Sequence, residues 1–243
     1  MALPSEIANL IARTPPDARA TAEAIATRRS VRGFLPTPVP RETVATIIEL
    51  AGRAPSGSNI QPWRVYACAG TVRDDIVAAV LKAHRTEPEQ HREAYRYYPV
   101  DWREPYLARR RATGWGLYGT LGIAKGDKAA MAEQHAQNFT MFGAPVGLFV
   151  TLDPDMERGS WLDCGMFVQT LMIAARAFGL DTCAQAAWCR YHAVIKPQLS
   201  IPEPEILVCG VGLGHADPSA RANAFWTTRE PVSRYATFAG FGD

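Results

Sequence analysis

Lysine is scarce in this chain: its 26 basic residues include only Lys82, Lys125, Lys128 and Lys196, and the other 22 are arginines. Against 24 acidic residues the formal net charge is +2, so no bulk electrostatic argument points to nucleic acid or to an anionic membrane surface. Five cysteines, Cys68, Cys164, Cys183, Cys189 and Cys209, include no C-x-x-C pair. Neither a disulfide framework nor a zinc site is indicated, and a reducing cytoplasm is the expected setting. The longest charge-free stretch, Gln134 to Leu152, is broken by His135, Asn138, Gly143 and Pro145, which makes a poor membrane span. Met1 to Arg13 lack a basic start followed by a long apolar run, so no secretory signal is expected. The histidines at 84, 91, 135, 192 and 215 show neither H-x-x-x-H nor H-E-x-x-H spacing, so no metal site is expected. The G-x-S-x-G elbow of a serine hydrolase is missing as well.

What is present is an ordinary globular composition: 243 residues, 47% hydrophobic and 21% charged. No repeat, low-complexity block or Pro/Ser-rich linker divides the chain, and one domain over residues 1–243 is expected. Apolar residues at helical spacing (Val44, Ile47, Ile48, Ala51, and again Ile76, Val77, Val80, Leu81) predict two amphipathic helices. The β-favouring run Trp63 to Cys68 between them predicts a strand. Asp127 can cap a helix reaching about Phe142, and Pro145 to Leu152 reads as a buried strand. Ser160 opens a largely apolar helix that stops at Gly179. Strands are predicted over Thr182 to Trp188 and Ile206 to Val211, with a short helix from His192 to Leu199 between them. Because helices and strands mix without strict βαβ alternation, the expected class is α+β.

Residues 87–126 lose any clear period and collect the aromatics Tyr95, Tyr97, Tyr98, Trp102, Tyr106, Trp115 and Tyr118. Such a stretch suits a lid over a binding site, and it equally suits irregular helices packed on the body. The tail from Pro231 to Asp243 carries Tyr235, Phe238 and Phe241 with no partner of its own, so it is expected to dock on this subunit or on a second one.

Three short segments are candidates for chemistry. Arg28-Arg29-Ser30-Val31-Arg32, expected at the end of the first helix, offers three guanidiniums and a hydroxyl in five residues. That set can surround a phosphate with charge-assisted bonds, or it can be a solvated basic helix end. Ala54 to Trp63 (APSGSNIQPW) offers Ser56, Ser58, Asn59 and Gln61 to a polar heterocycle, or builds a tight connection. Gly210 to Gly214 superficially suggests a dinucleotide loop, but the spacing is G-x-G-x-G and Asp217-Pro218 stands where a helix should open. A Rossmann site is therefore not expected. No set of side chains makes a self-sufficient catalyst, which points to a cofactor that carries the chemistry.

With RRSVRGF at 28–34, APSGSNIQPW at 54–63, GLDTCAQAAW at 179–188 and GVGLGHADP followed by TTREPV near Arg229, the chain resembles the nitroreductase family of FMN-dependent oxidoreductases over essentially its whole length. The resemblance implies an α+β fold with a central, mostly antiparallel sheet flanked by helices. It also implies an intertwined homodimer that exchanges C-terminal arms, residues 231–243, with FMN at the subunit interface. By similarity, Arg28, Arg29, Ser30, Arg32 and Arg229 hold the phosphate and ribityl chain. Pro55, Ser56 and Asn59 reach the flavin from the partner subunit, while Gln185, Ala186 and Ala187 lie beside flavin N5. Tyr95, Tyr97, Trp102, Trp115 and Tyr118 become candidates for a lid over small planar aromatic substrates.

The implied activity is ping-pong transfer from NADH or NADPH through flavin N5 to a nitroaromatic or quinone, with no side chain as obligatory acid or base. The rivals are another reaction on the same fold, such as reductive dehalogenation or flavin processing, and a flavin-binding protein without catalysis. Dehalogenating relatives clamp an amino acid with Glu, Tyr and Lys; here Glu93, Tyr95 and Tyr97 are present but no lysine lies between Lys82 and Lys125. Two departures from the family pattern are Thr227, where a second basic residue is common, and Gln185-Ala186 in place of proline-containing versions.

Overall fold

The computed structural model describes residues 3–242; Met1, Ala2 and Asp243, at the ends of the expected domain and arm, lie outside them. Four strands form one sheet: β1 (Arg64–Ala69), β2 (Val146–Leu152), β3 (Asp181–Gln185) and β4 (Ile206–Gly214). Their order is β1-β2-β4-β3 and every neighbouring pair is antiparallel. β2 is buried at all seven positions, as its run of branched and aromatic residues requires of a central strand.

Helices cover both faces. On one side α3 (Arg41–Ala51) and α7 (Arg158–Ala177) bury Ile47, Phe167 and Leu171 against Leu148 and Val150. On the other, α4 (Gly70–Thr86) and α8 (His192–Gln198) pack with Phe139, Phe149, Trp188 and Tyr191. The remaining helices are α1 (Ser5–Ala12), α2 (Arg19–Thr27), α5 (Tyr106–Leu121) and α6 (Lys128–Ala136).

Several boundaries differ from the sequence expectation. The arginine segment follows the second helix, because α1 precedes α2. Asp127 does cap α6, accepting the Ala130 N–H at 3.0 Å, but the α-helix ends at Ala136 and a 3-10 segment, Gln137–Gly143, completes it. There Met141 and Phe142 adopt φ of 54° and 53° while buried, a turn that helix propensity does not announce. α7 starts at Arg158, two residues ahead of Ser160. β3 ends at Gln185, and Ala186–Tyr191 turns into 3-10 conformation. Residues 87–126 are irregular only in part, since α5 supplies sixteen helical residues. That helix buries none of its residues, so it has no apolar stripe from which periodicity can be read.

The glycines of Gly210 to Gly214 serve packing. They lie inside β4, and a Cβ at Gly210 would come within 2.6 Å of the fully buried Trp188 ring. Such an overlap forces a well-packed core to shift. At the opposite end of the sheet, the buried Glu205 carboxylate accepts bonds from Arg64 Nη1 (2.8 Å), the Tyr66 hydroxyl (3.0 Å) and the Thr151 hydroxyl.

A histidine cluster joins α4 to α6. His84 Nδ1 lies 2.8 Å from the Tyr191 hydroxyl, and its ring centroid is 5.8 Å from that of His135. Burial, then His135, Arg190 and Arg85, push His84 below the usual imidazole range. Burial and Arg190 do the same to His135.

Two outcomes are expected. Gly210→Ala lowers unfolding free energy by about 1–3 kcal/mol, read as a lower urea midpoint at unchanged slope. Since both histidines resist protonation only when folded, the unfolded chain binds more protons below the ordinary value of 6.5. Stability therefore falls as pH drops from about 7 toward 5, and the double variant His84→Gln/His135→Gln shows a shallower fall in a urea series across that range.

Candidate cofactor site

The site grows from the free edge of β3. The chain leaving α2 runs beside it: Val31 N–H donates to the Thr182 carbonyl at 3.0 Å, and Ser30 makes a parallel bridge with Thr182. This anchors the arginine segment to the sheet rather than leaving it as a solvated helix end. Arg28, Ser30 and Arg32 all face Cys183, which is 2% exposed and whose thiol burial pushes up to about 11.

Arg28 is half-buried, and its pKa is lowered by burial and then by the charge of Arg229. The charge of Arg229 therefore reaches Arg28 although the two residues are about 200 positions apart in sequence. Arg229 is oriented by its own turn, with Nη1 donating to the Thr227 hydroxyl at 2.7 Å and the Thr228 carbonyl at 2.9 Å. Thr227, where a second cation was the family expectation, instead aims the one that is there. Arg32 Nη1 donates to the Ser30 carbonyl at 3.3 Å. Like-charged groups gathered along one edge, with no ion pair to Arg28, Arg32 or Arg229 among the described residues, suit a compact anion.

Arg29 is engaged differently. Its guanidinium donates to the Asn223 carbonyl and lies 4.5 Å over the centre of the Trp226 ring. Sequence reasoning missed both partners, since nothing in the Ala220 to Trp226 stretch distinguishes a buried Asn from a loop Asn. Beyond Arg229 opens a cavity of about 740 Å³ whose walls include Arg109, Thr113, Trp226, Thr228 and Tyr235. Arg109 is ion-paired there with Glu230 at 3.1 Å.

Gln185 ends the same strand roughly 10 Å beyond Thr182 at about 3.3 Å per residue, and Ala186 and Ala187 open the 3-10 turn that follows it. The Gln185 side chain turns inward, and its amide donates to the Asn138 carbonyl at 2.7 Å. What this strand end offers outward is therefore backbone. Ala186 and Ala187 are half-buried.

Pro55, Ser56 and Asn59 lie elsewhere, on the α7 face. Gly57 N–H donates to the buried Asp163 carboxylate at 3.2 Å, and the Ser56 hydroxyl accepts the Gln61 N–H at 3.0 Å. Ser58, Asn59 and Gln61 hold φ of 49°, 57° and 49°, a left-handed run that non-glycine residues adopt only when the surroundings impose it. Among the described residues no hydrogen bond or ion pair ties this loop to the arginines.

The aromatics of the proposed lid divide into an anchor and an outer row. Tyr95 donates to the Val208 carbonyl at 2.6 Å and packs edge-on to Trp161 at 4.4 Å, and burial pushes its phenol up. Tyr97 is 58% exposed. It begins a row through Tyr98 to Trp102, over which Arg110 sits at 4.7 Å. Trp115 and Tyr118 belong to α5, with ring centroids 6.0 Å apart.

The sequence profile of the nitroreductase family matches residues 25–215. The chain belongs to the nitroreductase family. It is 41% identical over 213 residues to a 4-nitrobenzoate reductase of Nocardioides sp. (strain LMS-CY), covering 87% of this chain and 86% of that protein. With a 4-nitrobenzoate reductase of Pseudomonas putida the identity is 39% over 217 residues, 89% of this chain and 94% of the other. The FMN and NADPH-dependent nitroreductase NfnB from Sphigopyxis sp. strain HMH superposes with a TM-score of 0.88 at 37% identity, over 91% of this chain and 99% of that one.

The residues of this nitroreductase family member fit an FMN phosphate on their own chemistry. Among the described residues neither Arg28 nor Arg229 is in an ion pair, and a phosphate monoester near −2 would supply the counter-charge. Loss of one of these charge-assisted bonds costs about 1.5–3 kcal/mol. Arg32→Ala is accordingly expected to release FMN more readily by that amount in equilibrium titration of the apoprotein; unchanged affinity removes Arg32 from the site.

Proposed function

We propose that this chain is an FMN-dependent oxidoreductase that uses NADH or NADPH to reduce nitroaromatic compounds. The observation that carries this reading is that Arg28, without an ion pair among the described residues, stands two residues before Ser30 on the edge of β3 and within reach of the Arg229 charge. A bound FMN would have its phosphate held by Arg28, Ser30, Arg32 and Arg229, and Gln185, Ala186 and Ala187 would border its ring. Bound FMN supplies the redox chemistry, taking two electrons from the nicotinamide and delivering them to the acceptor that replaces it.

The protein's share is binding, orientation and exclusion of water. Arg28, Ser30, Arg32 and Arg229 neutralise and fix the phosphate, and Arg29 holds the scaffold through Trp226 and Asn223. The backbone of Gln185 to Ala187 borders the ring. No side chain is assigned as acid or base. Tyr97, Tyr98 and Trp102 offer flat faces that a planar acceptor can stack on, while Tyr95 fastens that segment to β4. The relatives named 4-nitrobenzoate reductases make an aromatic nitro acid a suitable first acceptor.

The working unit in this reading is a homodimer of single-domain chains. Leu162 is 68% exposed on α7, next to a hollow of about 500 Å³ that Pro55, Trp161 and Met166 also line. A second copy covering this face brings Pro55, Ser56 and Asn59 to the partner's flavin. Tyr235, Phe238 and Phe241, 73%, 66% and 77% exposed, suit a C-terminal arm that embraces the other subunit. Among the described residues no helix is long and apolar enough to cross a membrane. The five buried, unpaired thiols suit a cytoplasmic enzyme.

The decisive measurement is stopped-flow reduction of the flavin by NADH and by NADPH, followed by reoxidation with 4-nitrobenzoate, nitrobenzene and a quinone. Flavin bleaching and recovery are expected. A purified protein that is colourless and cannot take up FMN overturns the reading. Tyr97→Ala and Trp102→Ala are expected to raise KM for the nitroaromatic several-fold, with FMN affinity within about twofold of the parent; if neither parameter moves, these aromatics are not the substrate-facing lid.

A further inference from the structure

Asn223 stands where the two ends of the chain meet, and its side chain is 5% exposed. Its Oδ1 accepts the Arg32 backbone N–H at 2.8 Å, and its Nδ2 donates to the carbonyls of Gly33 at 2.7 Å and Asp217 at 2.9 Å. Its own backbone carbonyl accepts from the Arg29 guanidinium. A carboxamide is the one small side chain that offers an acceptor and two donors in a single plane, and here all three are used. The approach is tight, since a Cβ on Gly33 would lie 2.3 Å from that of Ala220.

We propose that Asn223 is the positioning residue of the phosphate cradle, setting how strongly the site prefers FMN over the same flavin without its phosphate. The proposal rests on the reading that Arg28, Ser30, Arg32 and Arg229 hold that phosphate. Asn223 donates nothing to the anion. It fixes the backbone of Arg32 and Gly33 and occupies the guanidinium of Arg29, so that Ser30 and Arg32 present their donors from one rigid edge toward Arg28 and Arg229. Charge-assisted bonds weaken steeply with misalignment, and the half-buried Arg28 and the exposed Arg229 drift apart once their supports loosen. None of these Asn223 hydrogen bonds reaches Gln185, Ala186 or Ala187, the residues that would border the flavin ring.

The test compares FMN with riboflavin, each titrated by fluorescence quenching into full-length apoprotein. The parent is expected to bind FMN far more tightly than riboflavin. In Asn223→Ala the FMN Kd rises about tenfold or more while the riboflavin Kd stays within about twofold, so the preference collapses. A buried Asn with a merely structural role weakens both flavins equally, and that result overturns the proposal. Arg28→Ala separates the proposal from the reading beneath it. If Arg28→Ala abolishes the preference and Asn223→Ala leaves it intact, the phosphate reading stands and the role of Asn223 falls. If neither variant changes the preference, the phosphate reading falls too. Asn223→Ser, whose small polar side chain leaves room for water at the Arg32 and Gly33 backbone groups, repeats the comparison should the alanine variant not fold.

Discussion

The half-buried guanidinium of Arg28 within reach of the exposed guanidinium of Arg229, with no ion pair to either among the described residues, is the constraint around which the candidate site is arranged. Left alone, such a pair separates into water, where repulsion between unit charges a few ångströms apart falls to about 1 kcal/mol. Here Arg28 is carried on a segment bonded to the edge of β3, and Arg229 is turned by its own Thr227 and Thr228. The charges come within reach of each other because the backbone carries them there, and an anion relieves what the fold imposes.

Much of the architecture follows from keeping that edge stiff. β2 is buried throughout and pairs on both sides. β4 accepts Trp188 against its glycines, and β3 can then be short and still be fixed in place. Placing β3 at the sheet edge leaves one side free, and the chain from α2 fills that side for a single bridge before turning away. The arginine segment and the end of β3 at Gln185 consequently lie along one edge of the sheet. The α7 face carries a different type of feature, a loop with three left-handed non-glycine residues tied to Asp163.

Legibility in the sequence followed how local each signal was. Val44, Ile47 and Ala51 repeat at helical spacing and do line the buried side of α3. PVGLFVTL reads as a buried strand because no charged residue interrupts it and Thr151 is its one polar side chain. α5 was illegible because a helix that buries nothing needs no stripe, and the end of β3 was misjudged because Ala186 to Trp188 suits a strand as well as a 3-10 turn. The cluster RRSVR stood out by composition alone. Its division of labour did not: Arg28 is free for an anion, whereas Arg29 is taken by Trp226 and Asn223.

Composition, period and motif order by themselves determined the absence of bulk charge, the α+β mixture, the family and the segments that bear on a flavin. These are local or additive properties, and a linear string carries them without loss. Only the tertiary structure decided that the charge of Arg229 reaches Arg28, that Thr227 aims Arg229, that Gln185 turns inward and that Asn223 joins residues 29–33 to 217–223. Those outcomes depend on hydrogen bonds and charges that act over a few ångströms between groups up to about 200 positions apart, and sequence spacing holds no record of such distances.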